Sequence, residues 1–196
     1  LTASQVFGVA LEDVTKEMRY QAKAVNFGIL YGQTPHGLAN GTGMTFAEAR
    51  DFIDRYFAQR QALLDYIAQT KQQAVSDGYV ETLFGRRRLT PDVKSSNYMV
   101  REGAFRQAVN MPIQGTEADL MKMAMIKLEG ELSKFKGAKQ ILQIHDSILV
   151  ECREDDADDV GSMMQELMDT IYPSLWIKLK VDVHQGKNRG ELSTRE

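Results

Sequence analysis

The sequence predicts an α+β fold in which helices surround a small antiparallel sheet. Three observations lead there. The first half is a succession of apolar stripes at helical spacing. Two short apolar runs, 140–144 and 148–152, flank a polar tip as a β-hairpin does, and residues 177–183 alternate strictly between apolar and polar. Taken in order, residues 2–7 form a short helix, and Asp13 or Thr15 caps a long one that runs to Tyr31 and stops at Gly32. Residues 34–43 are turn-rich. Thr45 stands three before Glu48, a capping-box spacing that opens a helix carrying Phe46, Ala49, Phe52, Ile53 and Phe57. A further helix spans 61–75, and a strand spans 79–84. Helix 97–111 is expected to end at Pro112, which lacks an N–H and clashes with the preceding turn. Helix 116–132 follows, burying Met121, Ala124, Met125, Leu128 and Leu132. After the hairpin, Asp155 caps a helix carrying Val160, Met163, Met164, Leu167 and Ile171, and 177–183 reads as a strand.

Composition excludes several classes. With 43% hydrophobic residues in 196, the chain can bury a core and does not resemble a disordered polymer. Cys152 has no intrachain partner, so this is no disulfide scaffold, and a reducing, cytoplasmic setting is expected. No apolar run approaches the roughly 18 residues of a membrane span, so no membrane partner is expected. The start, Leu1-Thr2-Ala3-Ser4, has neither an initiator Met nor a signal-peptide pattern, as expected of a piece of a longer polypeptide. The net charge of −3 names no partner, but its distribution is informative: residues 86–106 hold six basic side chains to two acidic ones. Such a stripe suits a polyanion through phosphate contacts, and suits a solvated loop equally well.

Two features have chemical potential. On a helix over 16–31, Met18, Ala22, Val25 and Ile29 share the face that packs on a core. Arg19, Lys23, Phe27 and Tyr31 recur every four residues on nearly the opposite side. Two cations and two aromatics on a face the helix does not need for its own core suit a polyphosphate joined to a base or sugar. A helix buried on two sides would carry the same aromatics. The second feature is Asp146 at the hairpin tip. Asp in a turn commonly bonds its own backbone, but a rigid tip also presents a carboxylate to a divalent cation, and Mg²⁺ uses one or two carboxylates plus phosphate oxygens. His36, His145, His184 and Cys152 lack zinc spacing, and no phosphate-binding glycine loop or nucleophile elbow is present.

The run Arg19-Tyr-Gln-Ala-Lys23-Ala-Val-Asn-Phe27-Gly-Ile-Leu-Tyr31-Gly32 resembles the nucleotide-binding fingers helix of the family A DNA polymerases, the bacterial DNA polymerase I family. Three further segments are similar, in the same order: Glu81-Thr-Leu-Phe-Gly-Arg-Arg-Arg88, Asn110-Met-Pro-Ile-Gln114-Gly-Thr-Glu-Ala-Asp-Leu-Met and Gln143-Ile-His145-Asp146. The likeness covers nearly the whole chain. It implies a fingers subdomain over 1–96, with its nucleotide-binding helix at 13–31, and a C-terminal palm portion over 97–196, with a catalytic hairpin at 140–152. By that resemblance Arg19 and Lys23 would bind the triphosphate of an incoming dNTP, Lys23 also protonating the leaving pyrophosphate. Phe27 would pack on sugar and base, Tyr31 would stack near the templating position, and Gly32 would leave room beside it. Arg106, Asn110 and Gln114 would touch primer–template DNA, the arginines ending at Arg88 would lie near template phosphates, His145 would contact the primer end, and Asp146 would ligate catalytic Mg²⁺.

Two departures qualify the likeness. Ser147 follows the His-Asp pair where the family usually has Glu. No segment resembles the strand that bears the family's other catalytic aspartate, so the two-metal site would need the remaining N-terminal part of a longer polymerase. The chain alone is therefore expected not to polymerise. The rival readings are a single-subunit RNA polymerase, in which His-Asp-Ser occurs, and a non-catalytic nucleic-acid-binding module.

Overall fold

The computed structural model describes residues 2–194. Contacts divide the chain into two compact units, Leu1–Ile113 and Gln114–Glu196. The first holds helices α1 (Thr2–Phe7), α2 (Lys16–Leu30), α3 (Pro35–Thr42), α4 (Phe46–Ala58) and α5 (Gln61–Ser76), then strands β1 (Tyr79–Glu81) and β2 (Arg87–Leu89). Helix α6 (Tyr98–Leu132) begins in the first unit and ends in the second. The second unit continues with β3 (Lys139–Ile144), β4 (Ser147–Glu151), α7 (Ala157–Asp169), β5 (His184–Gln185) and β6 (Ser193–Thr194). The strands pair antiparallel as β1–β2, β3–β4 and β5–β6, so the helices-plus-small-sheets class expected from the sequence is present.

In the first unit, α2 is positioned by its apolar stripe. Ala22, Val25 and Ile29 are buried, and Val25 and Ile29 join Val6 of α1, Leu38 of α3, and Ala49 and Phe52 of α4 in one core. Thr15, not Asp13, caps the helix: its hydroxyl accepts from the Met18 N–H at 3.2 Å. At α4 the capping box forms as expected, Thr45 and Glu48 satisfying each other's backbone donors.

The strand expected over 79–84 ends at Glu81, and Asp155 lies in a short 3-10 turn ahead of α7 rather than at its cap; three larger expectations also need correction. Residues 34–43, expected to be turn-rich, contain α3. Thr34 accepts from the Gly37 N–H, Pro35 occupies the first turn, where its missing donor costs nothing, and Gly43 at φ +77° closes the end. Fully buried Leu38 anchors this helix against two interior glycines.

Pro112 does not end a helix: α6 runs through it. An internal proline costs about 3 kcal/mol, and burial on both sides offsets it. Ala108 and Val109 are buried before the proline, and Met121, Ala124, Leu128 and Leu132 after it. The Tyr66 hydroxyl also donates to the Val109 carbonyl at 2.9 Å, one turn from the disruption.

Residues 177–183 alternate but form no ladder; among the described residues only His184–Gln185 pairs there, with Ser193–Thr194. Side chains of α7 take the place of a partner strand. Asp169 accepts from the Val181 N–H at 2.8 Å, and Gln165 donates to the Val181 carbonyl at 3.0 Å. The alternation sorts the side chains in part: Leu179 and Val181 pack on the core formed by α6 and α7 and Lys178, Lys180 and Asp182 are exposed, but Ile177, on the expected apolar face, is 47% exposed.

The hairpin agrees with expectation to within a residue. Its register runs from Lys139↔Glu151 to Ile144↔Ser147, with an irregularity between Gln140 and Leu142. Ile148 and Val150 of β4 pack on Leu128, Leu132 and Val160, which fixes the hairpin to α6 and α7. The tip, His145 and Asp146, is left exposed.

Candidate functional site

In the first unit the cation–aromatic face of α2 is not packed into the core. Arg19 and Lys23 are exposed, Phe27 is 47% exposed and Tyr31 is half-buried. The four-residue spacing makes the ridge continuous. Lys23 Nζ lies 5.8 Å from the centre of the Phe27 ring, and the Phe27 and Tyr31 rings stack at 6.1 Å with a 22° interplanar angle. Arg19, Lys23, Asn26 and Phe27 line an open cavity of about 510 Å³, closed on other sides by Thr2, Ala3, Leu11, Val14 and Tyr56. That volume lies within the usual range for small-molecule sites. Its polar wall is cationic and its apolar wall offers a flat ring, the chemistry a nucleoside polyphosphate needs.

The end of this ridge is set by Gly32. The Gln33 N–H donates to the Gly28 carbonyl at 2.7 Å and the Gly32 N–H to the Ile29 carbonyl at 3.1 Å, the paired bonds of a Schellman end, with Gly32 at φ +82°. A Cβ at this position would lie 3.1 Å from Cγ of Arg106, so α6 brings Arg106 directly against the glycine. Substituting Gly32 by alanine is therefore expected to cost about 1 kcal/mol or more, because alanine is strained at positive φ and crowds Arg106. Thermal denaturation against the parent protein measures it, with Arg106→Ala on the same background separating crowding from backbone strain.

The remaining nucleic-acid candidates are placed as follows. Arg106 is exposed, and Asn110, one turn on, is half-buried with its Oδ1 buried and unpaired among the described residues. Gln114, a further four residues along α6, is exposed. Beside Asn110, burial pushes the Tyr66 phenol above its ordinary pKa, with smaller opposing and supporting influences from Thr70 and Tyr31. On β2, Arg88 donates to the Gln107 amide oxygen at 2.7 Å, a neutral partner that leaves its charge uncompensated by that bond. Arg87 is instead paired with Glu81 at 3.3 Å and lies over the Tyr79 ring at 4.3 Å.

In the second unit, Asp146 and His145 form the two-residue tip of β3–β4. Ser147 does not stand beside Asp146 as a spare oxygen: its hydroxyl donates to the Ile144 carbonyl at 2.9 Å. Gln143 donates to the His145 carbonyl at 2.6 Å. Neither role was read from the sequence, although Gln143 stood in the motif that carried the resemblance. Among the described residues no three His, Cys, Asp or Glu side chains gather as a metal cluster. The donor set here thus fits a hard divalent cation only in part, as one carboxylate whose companion ligands would have to come from elsewhere.

The cation–aromatic ridge of the first unit and the carboxylate-tipped hairpin of the second lie on two of the segments that carry the resemblance. The chain belongs to DNA polymerase family A, whose profile matches residues 1–191. It is 44% identical over 187 residues to the thermostable DNA polymerase I of Thermus aquaticus, covering 95% of this chain and 22% of that protein. It is 44% identical over 191 residues to DNA polymerase I of Pseudomonas aeruginosa, covering 97% and 21% respectively. Among solved structures it resembles the polymerase domain of Pol1 from M. smegmatis, in complex with DNA primer–template and dNTP. That likeness has a TM-score of 0.80 and 37% identity over 88% of this chain and 30% of that one. The chain therefore spans about a fifth of the length of the curated relatives it matches. Among the described residues, no helix is long and apolar enough to cross a membrane.

Proposed function

We propose that this chain is the fingers portion (1–96) and C-terminal palm portion (97–196) of a cytoplasmic DNA-directed DNA polymerase, acting in replication and repair. It would add dNTPs to a primer 3′ end under template direction. The observation that carries this reading is the ridge Arg19–Lys23–Phe27, which lines an open cavity and continues into the half-buried Tyr31 ring stacked on Phe27.

Arg19, with its planar fork of donors, grips triphosphate oxygens, and Lys23 adds a compact, mobile charge. Lys23 Nζ also gives a proton to the departing pyrophosphate, which lowers the cost of its developing charge. Phe27 supplies a flat surface for sugar and base, and Tyr31 and Gly32 mark the templating end. Arg106, Asn110 and Gln114 donate to minor-groove acceptors, whose pattern is degenerate, so they check base-pair shape without reading sequence. Arg88 meets template phosphate, and His145 meets the primer end.

Asp146 is the residue that would hold Mg²⁺, together with a carboxylate from the N-terminal part of the polymerase. When bound, Mg²⁺ activates the primer hydroxyl and neutralises the leaving pyrophosphate. With one carboxylate of the pair, the isolated chain is inactive in this reading. The DNA-polymerase profile and the named relatives favour this over an RNA polymerase or a non-catalytic binding module.

The test is primer extension by the full-length protein that carries this segment, supplied in parallel with deoxy- and ribonucleoside triphosphates. Templated extension with dNTPs and little with rNTPs is expected. Preference for rNTPs returns the RNA-polymerase reading, and DNA binding without any extension returns the module.

A further inference from the structure

The hairpin tip is built in a way that its length alone does not require. Two-residue hairpin loops favour turns whose first central residue has positive φ, a place normally filled by glycine, asparagine or aspartate. Here that place holds His145 at φ +50°, the one non-glycine residue with positive φ among those described. A bulky side chain persists in such a conformation only when its surroundings over-determine it. Two side chains do so. The Ser147 hydroxyl donates to the Ile144 carbonyl at 2.9 Å, which closes the loop from its far side. The Gln143 amide donates to the His145 carbonyl at 2.6 Å, which holds the peptide joining His145 to Asp146. Asp146 is exposed, and among the described residues no hydrogen bond or ion pair from its own side chain fixes it, so its direction is set by the backbone of the turn.

We propose that Ser147 and Gln143 are positioning residues that clamp the strained His145–Asp146 turn and so aim the Asp146 carboxylate. This rests on Asp146 being a metal ligand in the function proposed above. In this account Ser147 is not a weak replacement for an acidic metal partner. Its hydroxyl hydrogen is committed to a backbone carbonyl, and what it contributes is direction rather than charge. Partners that orient a ligand without touching the metal commonly govern affinity by about 10- to 100-fold.

The experiment uses the full-length protein with a dideoxy-terminated primer–template and dNTP, and Mn²⁺ as a spectroscopically visible probe. Mn²⁺ affinity is read by electron paramagnetic resonance, and amide exchange is read across 143–147. Ser147→Ala is expected to speed exchange at His145 and Asp146 and to weaken Mn²⁺ binding about tenfold or more. Ser147→Thr, which keeps the hydroxyl, is expected to restore both. Ser147→Glu, which adds charge but removes the hydroxyl, is expected to restore neither.

Unchanged exchange and unchanged Mn²⁺ affinity in Ser147→Ala overturn the proposal. So does recovery of Mn²⁺ affinity by glutamate and not by threonine. If Ser147→Ala does not fold, Gln143→Leu tests the same turn through its other bond, with the same expected result. Asp146→Asn is the control for the underlying reading. If it leaves Mn²⁺ affinity intact, the metal role of Asp146 fails; if it weakens binding while Ser147→Ala does not, only the positioning role fails.

Discussion

Asp146→Asn in the full-length protein is expected to lower kcat for primer extension on the order of 10³-fold, a loss of about 4 kcal/mol of transition-state stabilisation. The dissociation constant for primer–template should change by less than about threefold, because phosphate contacts from basic side chains dominate that affinity. The contrast follows from where Asp146 stands. It is exposed at a two-residue tip, away from the core of its unit, so exchanging the carboxylate for an amide removes a charge without opening a cavity. A fall in kcat together with loss of folding would contradict that placement. A variant that extends primers within about tenfold of the parent rate would remove Asp146 from the chemistry altogether.

Lys23→Ala should produce the second-largest effect, and of a different kind. Lys23 sits between Arg19 and Phe27 on an open face, with its ammonium 5.8 Å from the Phe27 ring. In the roles proposed for Lys23, loss of the general acid costs about 10²- to 10⁴-fold in rate, and loss of one phosphate contact raises KM for the dNTP as well. Arg19→Ala, which removes binding but no proton donor, should raise KM while lowering kcat much less. Pre-steady-state kinetics that separate binding from chemistry decide between them. Equal kcat losses in the two variants would show that both act only as binding charges. Because Lys23 is exposed and outside the apolar core, neither variant should lower Tm appreciably.

What was legible in the chain was what is local. The ridge on α2 needed only a four-residue period and a cap, and both are short-range facts. The hairpin needed only two apolar runs and a polar tip. Long-range compensation was not legible. Pro112 read as a helix end because the burial of Ala108 and Val109 and the Tyr66 bond to Val109 come from elsewhere in the fold. Residues 34–43 read as turn-rich because glycines, Pro35 and Asn40 crowd a short stretch, and only the burial of Leu38 reverses the balance. The alternation at 177–183 sorted Leu179 and Val181 inward but not Ile177, and it could not reveal that Asp169 and Gln165 of a helix would replace a neighbouring strand. In the site, the roles of Gln143 and Ser147 depend on backbone angles that no residue pattern displays. The contact of Gly32 with Arg106 joins segments far apart in sequence.

At Gly28 on α2, a Cβ would fall 1.9 Å from Oε1 of Gln33, whose amide oxygen is buried there. Any bulk gained at position 28 must evict that side chain, so the two positions form one steric unit with a shared allowance of volume. Libraries that vary them independently will be dominated by misfits, whereas paired changes, larger at 28 and shorter at 33, open sequence space on α2 without disturbing the charges on its cationic face.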